Sequence, residues 1–313
     1  MSVHHDGQPT FDEQEFHREI DHPVTIDDPY STNEYRLYLL NRAYEGARPL
    51  VVYNGLGSTP NTLIGQLHLK SYAQEIPRPI IAPMNMQSSN AAQRRKFADG
   101  HAWALEKVSN EAVDITGMSW GGVLAYSVAE SIQDKANHLT TTSSVGTRAH
   151  LAHYALGAIR LLATEARQIN KSLGAAIQDT HAADIKHPHP PASIAPFDKL
   201  QRARLIGGRS FQSLATTLHP DTTWHDIIGE HDVLSNVREH VATIEQRNTL
   251  HPDSSSISVV QNHGHLWAHM RPTLARLVHE SLQYDKQTPL IYYRARNDLS
   301  DIDRLDLPRD ESA

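Results

Sequence analysis

From about residue 34 the chain alternates between short apolar runs and longer amphipathic segments. "EYRLYLL" (34–40) alternates apolar and polar positions, as a strand with one covered face does. "PLVVYNG" (49–55) and "PIIAPMNM" (79–86) are continuous apolar runs of the kind found in buried parallel strands. "VDITGMS" from Val113, "HLTTTSSVG" (138–146), "TTWHDIIGEHD" (222–232) and "SSISVVQNHGH" (255–265) predict four further strands. Between them lie helical patterns. One follows Thr59 as N-cap and Pro60 at the first helical position, with Leu63 and Leu67 on one face. A second runs from about Ala91 to Ser109, and a third passes through "VLAYSVAESI". The last starts on Pro272 and stripes Leu274, Leu277, Val278 and Leu282. Such alternation predicts an α/β fold, a mostly parallel sheet with helices on both faces.

One segment breaks the rhythm. Residues 148–218 contain helical periodicity through Leu151, Tyr154, Ala158, Leu162, Ala166 and Ile169, and a proline-rich connector "KHPHPPASIAP", with no convincing strand. They predict a helical insertion, and one leaving the carboxyl edge of the sheet would cover the place where open α/β sheets bind ligands. The expected organisation is an acidic arm (1–33), a core in two parts (34–147 and 219–285), a helical cap (148–218) and a C-terminal tail (286–313).

Composition narrows the function classes. No apolar stretch approaches the roughly 18 residues of a membrane span, and the N-terminus lacks a basic start and an apolar h-region, so a cytoplasmic protein without a membrane span is expected. With no cysteine, disulfides, thiolate metal sites and cysteine nucleophiles are excluded. Net charge is −7, and residues 1–30 alone hold eight acids against Arg18, so the remainder is near neutral and offers no basic nucleic-acid face. The acidic arm reads as a solvated segment. Nothing in the chain argues for a particular oligomeric state.

The chemistry concentrates at three strand ends. Gly117, Ser119 and Gly121 form G-x-S-x-G between an apolar strand and a helix, a corner that projects a serine hydroxyl above a sheet. A serine at its free pKa is a weak nucleophile and needs a base, which in turn needs an orienting acid. Asp232 follows the strand in "DIIGEHDVLSN"; Glu230 is the alternative, and Asp226, inside the strand, is the weakest choice. His265 follows a glycine turn in "VVQNHGHLWAH", with His263 the alternative and His269 beyond. Two backbone N–H groups should hold a developing oxyanion: Trp120, after the serine, and Leu56, between Gly55 and Gly57 in "YNGLGST". Asn54, Met118 and Trp120 are the expected substrate contacts. The glycines of "NGLGST" do not form a phosphate-loop or dinucleotide frame, and "HPHPP" has no metal-ligand spacing; no metal or organic cofactor is expected.

These residues resemble the α/β-hydrolase superfamily of serine hydrolases over roughly residues 34–285. The resemblance rests on "YNGLGS", "GMSWGG", "GEHDVLS" and "NHGHLWAHMRP" in that order. It implies Ser119 as nucleophile, Asp232 as acid, His265 as base, Leu56 and Trp120 as oxyanion donors, and 148–218 as the cap. "NGLG" with "SWGG" is similar to intracellular polyhydroxyalkanoate depolymerases and related short-chain esterases. "MNMQSSN" departs from the Asp-x-x-Gly-x-Gly-x-Ser turn that many members carry after the corresponding strand. The expected reaction is hydrolysis of a carboxylic ester with an apolar or neutral acyl group through an acyl-enzyme. Peptide, thioester or carbon–carbon cleavage on the same triad, or ligand binding without catalysis, are the alternatives.

Overall fold

A computed structural model describes residues 11–27, 34–44, 46–55, 60, 62–84, 91–144, 213–261, 263–265, 272–283, 290–295 and 302–305. The expected cap lies almost wholly outside them, as does Leu56. Among the described residues no helix is long and apolar enough to cross a membrane.

Ten strands form one sheet: β1 (Val24–Asp27), β2 (Glu34–Leu40), β3 (Leu50–Tyr53), β4 (Ile80–Pro83), β5 (Val113–Met118), β6 (Ala136–Thr142), β7 (Thr223–Gly229), β8 (Ser255–Gln261), β9 (Leu290–Ala295) and β10 (Ile302–Leu305). Their order is β1-β2-β4-β3-β5-β6-β7-β8-β9-β10. The seven strands from β4 through β9 run parallel, and antiparallel pairs occur only at the flanks, β1 with β2, β2 with β4 and β9 with β10. The connecting helices are α1 (Glu13–Asp21), α2 (Leu63–Glu75), α3 (Ala91–Val108), α4 (Trp120–Ile132), α5 (Leu214–Thr217), α6 (Val237–Leu250) and α7 (Pro272–Ser281).

Alternation along the strands sends side chains into two layers. Val51, Tyr53, Ile115, Leu139, Trp224, Ile228, Ile257 and Val259 meet apolar residues of α3, α4 and α6 on one face. Leu50, Val52, Met118, Ile227 and Val260 meet α1, α2 and α7 on the other. That second layer also buries polar groups: Asp114 and Thr116 of β5, His138, Thr140 and Thr142 of β6, His225 of β7 and Ser258 of β8. Thr140 reaches Ser281 of α7 at 2.8 Å, and the two nitrogens of His225 bond the hydroxyls of Ser256 and Ser258 at 2.6 and 2.9 Å.

All seven strands expected from the sequence form. Three differences stand out. Residues 13–27, set apart as a solvated arm, supply a helix and an edge strand: Asp12 caps α1 by accepting from the N–H groups of Gln14 and Glu15, and Phe16 and Ile20 bury against Tyr38 and Leu40. The apolar pair at i and i+4 outweighs the charge around it. In the segment treated as a tail, β9 and β10 extend the sheet. Finally, α2 begins at Leu63, not beside Pro60, because Thr62 is its cap and accepts from the N–H of Gly65 at 3.2 Å.

Candidate active site

The chain leaves β3 for β4 on one side, then crosses back to β5 on the other. The carboxyl ends of β3 and β5 therefore face a topological switch point, where a crevice opens in sheets of this kind. Ser119 stands at the end of β5 with φ 52° and ψ −118°, a conformation that a residue with a side chain adopts only under constraint. Close packing supplies the constraint. A Cβ on Gly121 would collide with the carbonyl oxygens of Tyr53 and Asn54, and one on Gly117 would lie 2.7 Å from the Ala125 methyl. The N–H of Ser119 donates to the Thr142 carbonyl of β6 at 2.8 Å, which fixes the corner from its other side.

His265 Nε2 lies 2.9 Å from Ser119 Oγ, and its Nδ1 lies 3.0 and 2.9 Å from the two oxygens of Asp232. The side chains of Asp232 and His265 are almost fully buried. Asp232 sits in a turn of its own making: one carboxylate oxygen accepts from the N–H groups of Leu234 at 2.8 Å and Ser235 at 2.9 Å. Burial pushes this carboxyl up, but the neighbouring His265 and the two backbone N–H groups outweigh it and hold the group below the usual carboxylate range. An ionised Asp232 accepts only, so His265 carries its proton on Nδ1, and Nε2 is left to accept from the serine hydroxyl.

The turns that carry the acid and the histidine touch through backbone. A Cβ on Gly229 would lie 2.6 Å from the His263 carbonyl oxygen and would also crowd that of Gly264, and His231 N–H donates to the His263 carbonyl at 2.8 Å. The alternatives are thereby placed. Glu230 is exposed and pairs with His231 at 3.9 Å, while His263 contributes its carbonyl to the turn contact. Asp226 is buried on the α6 face of β7, bonded to His240 and Thr141. His269 lies outside the described residues.

Trp120 is the first residue of α4, so its N–H has no intrahelical acceptor. Its side chain is buried in the α4 layer, and that of Met118 in the α2 layer. Asn54 is buried just past the carboxyl end of β3. Sequence reasoning missed Ser235, whose hydroxyl donates to the Ser144 carbonyl at 2.8 Å and ties the acid turn to the end of β6. It also missed Ser143, buried with φ 44° beside the serine corner. The Asp-x-Leu-Ser spacing carried a readable signal for the first, since an Asp whose oxygen meets the N–H groups two and three residues on makes such a turn. Among the described residues no group of three or more His, Asp or Glu side chains could hold a metal ion.

No protein-family model and no curated protein matches the sequence. Solved structures do match. A hydrolase-fold protein from Chitinophaga pinensis superimposes with a TM-score of 0.63 at 15% identity, over 84% of this chain and 98% of its own. The chain has the α/β-hydrolase fold. A thermophilic esterase from Thermogutta terrifontis aligns over 84% of this chain and 98% of its own, with 16% identity and a TM-score of 0.55. A carboxylesterase from Bacillus subtilis aligns over 86% and 96%, with 15% identity and a TM-score of 0.53. At these identities the likeness concerns the fold. Ser119 follows β5, and Asp232 and His265 follow the later strands β7 and β8 in that order along the chain.

Proposed function

We propose that the protein is a serine hydrolase that cleaves carboxylic esters with an apolar or neutral acyl group. The observation that carries the reading is the chain of contacts from Ser119 Oγ to His265 Nε2 and from His265 Nδ1 to Asp232, all between 2.9 and 3.0 Å. His265 takes the Ser119 proton as Oγ attacks the ester carbonyl, and Asp232 stabilises the imidazolium that forms. The N–H of Trp120, with that of Leu56 as second donor, holds the oxyanion of the tetrahedral intermediate. His265 then returns the proton to the leaving alkoxide. Water, deprotonated by the same nitrogen, releases the acyl group from Ser119 and restores the hydroxyl. This chemistry uses side chains and backbone groups throughout. The esterase neighbours support an ester as the bond cleaved.

Labelling with a fluorophosphonate probe tests the reading. The wild type is expected to label stoichiometrically and Ser119→Ala to remain unlabelled while folding normally. An unlabelled wild type would refute the enzyme, and label on Ser119→Ala would refute the choice of serine. A panel of p-nitrophenyl esters and aminoacyl arylamides then decides the bond, with turnover expected on the esters alone.

A further inference from the structure

The same strand that delivers the acid carries a second, fully buried carboxylate–histidine pair. Asp226, midway along β7, accepts from His240 Nδ1 at 2.6 Å, and neither side chain has any exposed surface. The other oxygen of Asp226 accepts from the Thr141 hydroxyl of β6 at 2.6 Å, and Thr141 accepts in turn from Trp224 Nε1 at 2.9 Å. His240 lies in the first turn of α6. The pair therefore joins the middle of a strand to the start of the following helix, and the chain between these points contains the whole acid turn: Gly229, Asp232, Leu234 and Ser235. The rest of α6 is anchored independently. Arg247, fully buried, donates to the carbonyls of His219 and Thr222 just before β7, both at 2.8 Å.

We infer that Asp226 and His240 are positioning residues for the nucleophilic site: their bond clamps the two ends of the acid turn and so fixes Asp232 against His265. This rests on the proposed role of Ser119, His265 and Asp232. The geometry gives the clamp leverage. The acid turn is held from inside by the two N–H bonds to the Asp232 carboxylate and by Asp232 N–H to the Gly229 carbonyl at 3.0 Å, and from outside by Ser235 to the Ser144 carbonyl, His231 N–H to the His263 carbonyl and Glu230 N–H to the Val260 carbonyl. None of these sets the distance from β7 to α6. The Asp226–His240 bond joins them directly, beside the apolar contacts that Trp224 and Ile228 make with α6, and it is shielded from water, where hydrogen bonds are strongest. A stabilising pair with no link to chemistry would serve anywhere along this interface. This one spans the segment whose displacement by about 1 Å would cost on the order of 10²-fold in rate.

The test uses the full chain with three variants. His240→Asn retains a donor close to the position of Nδ1; His240→Leu removes it; and Asp226→Val combined with His240→Leu removes both partners, so that no unpaired charge is buried and folding is kept. Thermal unfolding gives the folded fraction, and the second-order rate of fluorophosphonate labelling is measured per folded molecule across pH. Expected are labelling about 10- to 100-fold slower in His240→Leu and in the double variant, a displaced pH midpoint in both, and recovery to within about threefold in His240→Asn. Wild-type labelling in the double variant, or His240→Asn as slow as His240→Leu, would overturn the clamp and leave a structural pair. A second reading does not depend on labelling: the low-field proton resonance of His265 Nδ1–H bonded to Asp232. It should shift or broaden in His240→Leu and return in His240→Asn; an unchanged resonance counts against the clamp. If the wild type does not label, the proposed hydrolase fails, and this resonance alone decides the clamp.

Discussion

Acidification to pH 5 should destabilise this protein by about 7 kcal/mol, and four buried histidines set the size of the effect. Desolvation pushes His68 and His138 down to about 4 and His101 and His225 down to about 3, with His138 adding to the last through its nearby charge. In the unfolded chain each returns to about 6.5. A folded pKa below the unfolded one means that the unfolded state binds more protons between the two values, so stability falls as pH drops from about 6.5 toward 4. Between pH 7 and pH 5 the four groups together contribute about 7 kcal/mol, comparable with the roughly 5–15 kcal/mol of a whole domain. Glu19, whose carboxyl is raised by burial, works in the opposite sense as pH falls, but it is one group against four. Asp232 is held low, so its loss begins only near pH 4 and below. Urea unfolding at pH 7, 6 and 5, with the slope m checked for constancy, measures the change. His101→Phe, which gives up the 3.2 Å contact to the Tyr53 hydroxyl and keeps a ring beside Tyr35, should remove about a quarter of it. A fall of less than about 2 kcal/mol from pH 7 to pH 5, or an unaltered pH dependence in His101→Phe, would refute the reasoning.

Asp232→Asn should lower kcat for ester hydrolysis by about 10⁴-fold by presenting the wrong partner to His265 Nδ1, whereas Glu230→Gln should change it less than about twofold, since its charge is screened; steady-state kinetics compare the two. Gly229→Ala should cost activity before it costs the fold, because the added methyl presses on the His263 and Gly264 carbonyls and displaces the histidine turn. A drop of about tenfold or more in kcat/KM, with far-ultraviolet circular dichroism unchanged, is the expected result.

Much of this was legible in the sequence because sheet burial leaves a strong periodic mark. Continuous apolar runs such as "LVVY" and "IIAP" announced central parallel strands, and their glycine-rich ends announced the corners. Ser119, Asp232 and His265 each lie just past a strand end, which made the three positions legible together. What stayed hidden was short or outweighed. β1 is four residues, "VTID", too few for alternation to separate it from chance. Phe16 and Ile20 make an apolar stripe, but the acids around them dominated the reading of α1. β9, "LIYYRA", carries a β-branched and aromatic signature, but it is six residues long and falls in the segment read as a tail. Asp226 was placed correctly inside its strand, yet its partner His240 was one of 21 histidines, and no local spacing marks a contact made across a strand–helix interface.

The polar layer between the sheet and the α2–α7 face has a thermal consequence. Unfolding exposes not only apolar surface there but also Asp114, Thr116, His138, Thr140, Thr142, His225 and Ser258. Hydration of polar surface lowers the heat capacity of unfolding where apolar surface raises it. This face therefore contributes less curvature to the dependence of stability on temperature than a layer of leucine and valine of equal area would. Stability accordingly varies more gently on warming and on cooling than an all-apolar layer would allow.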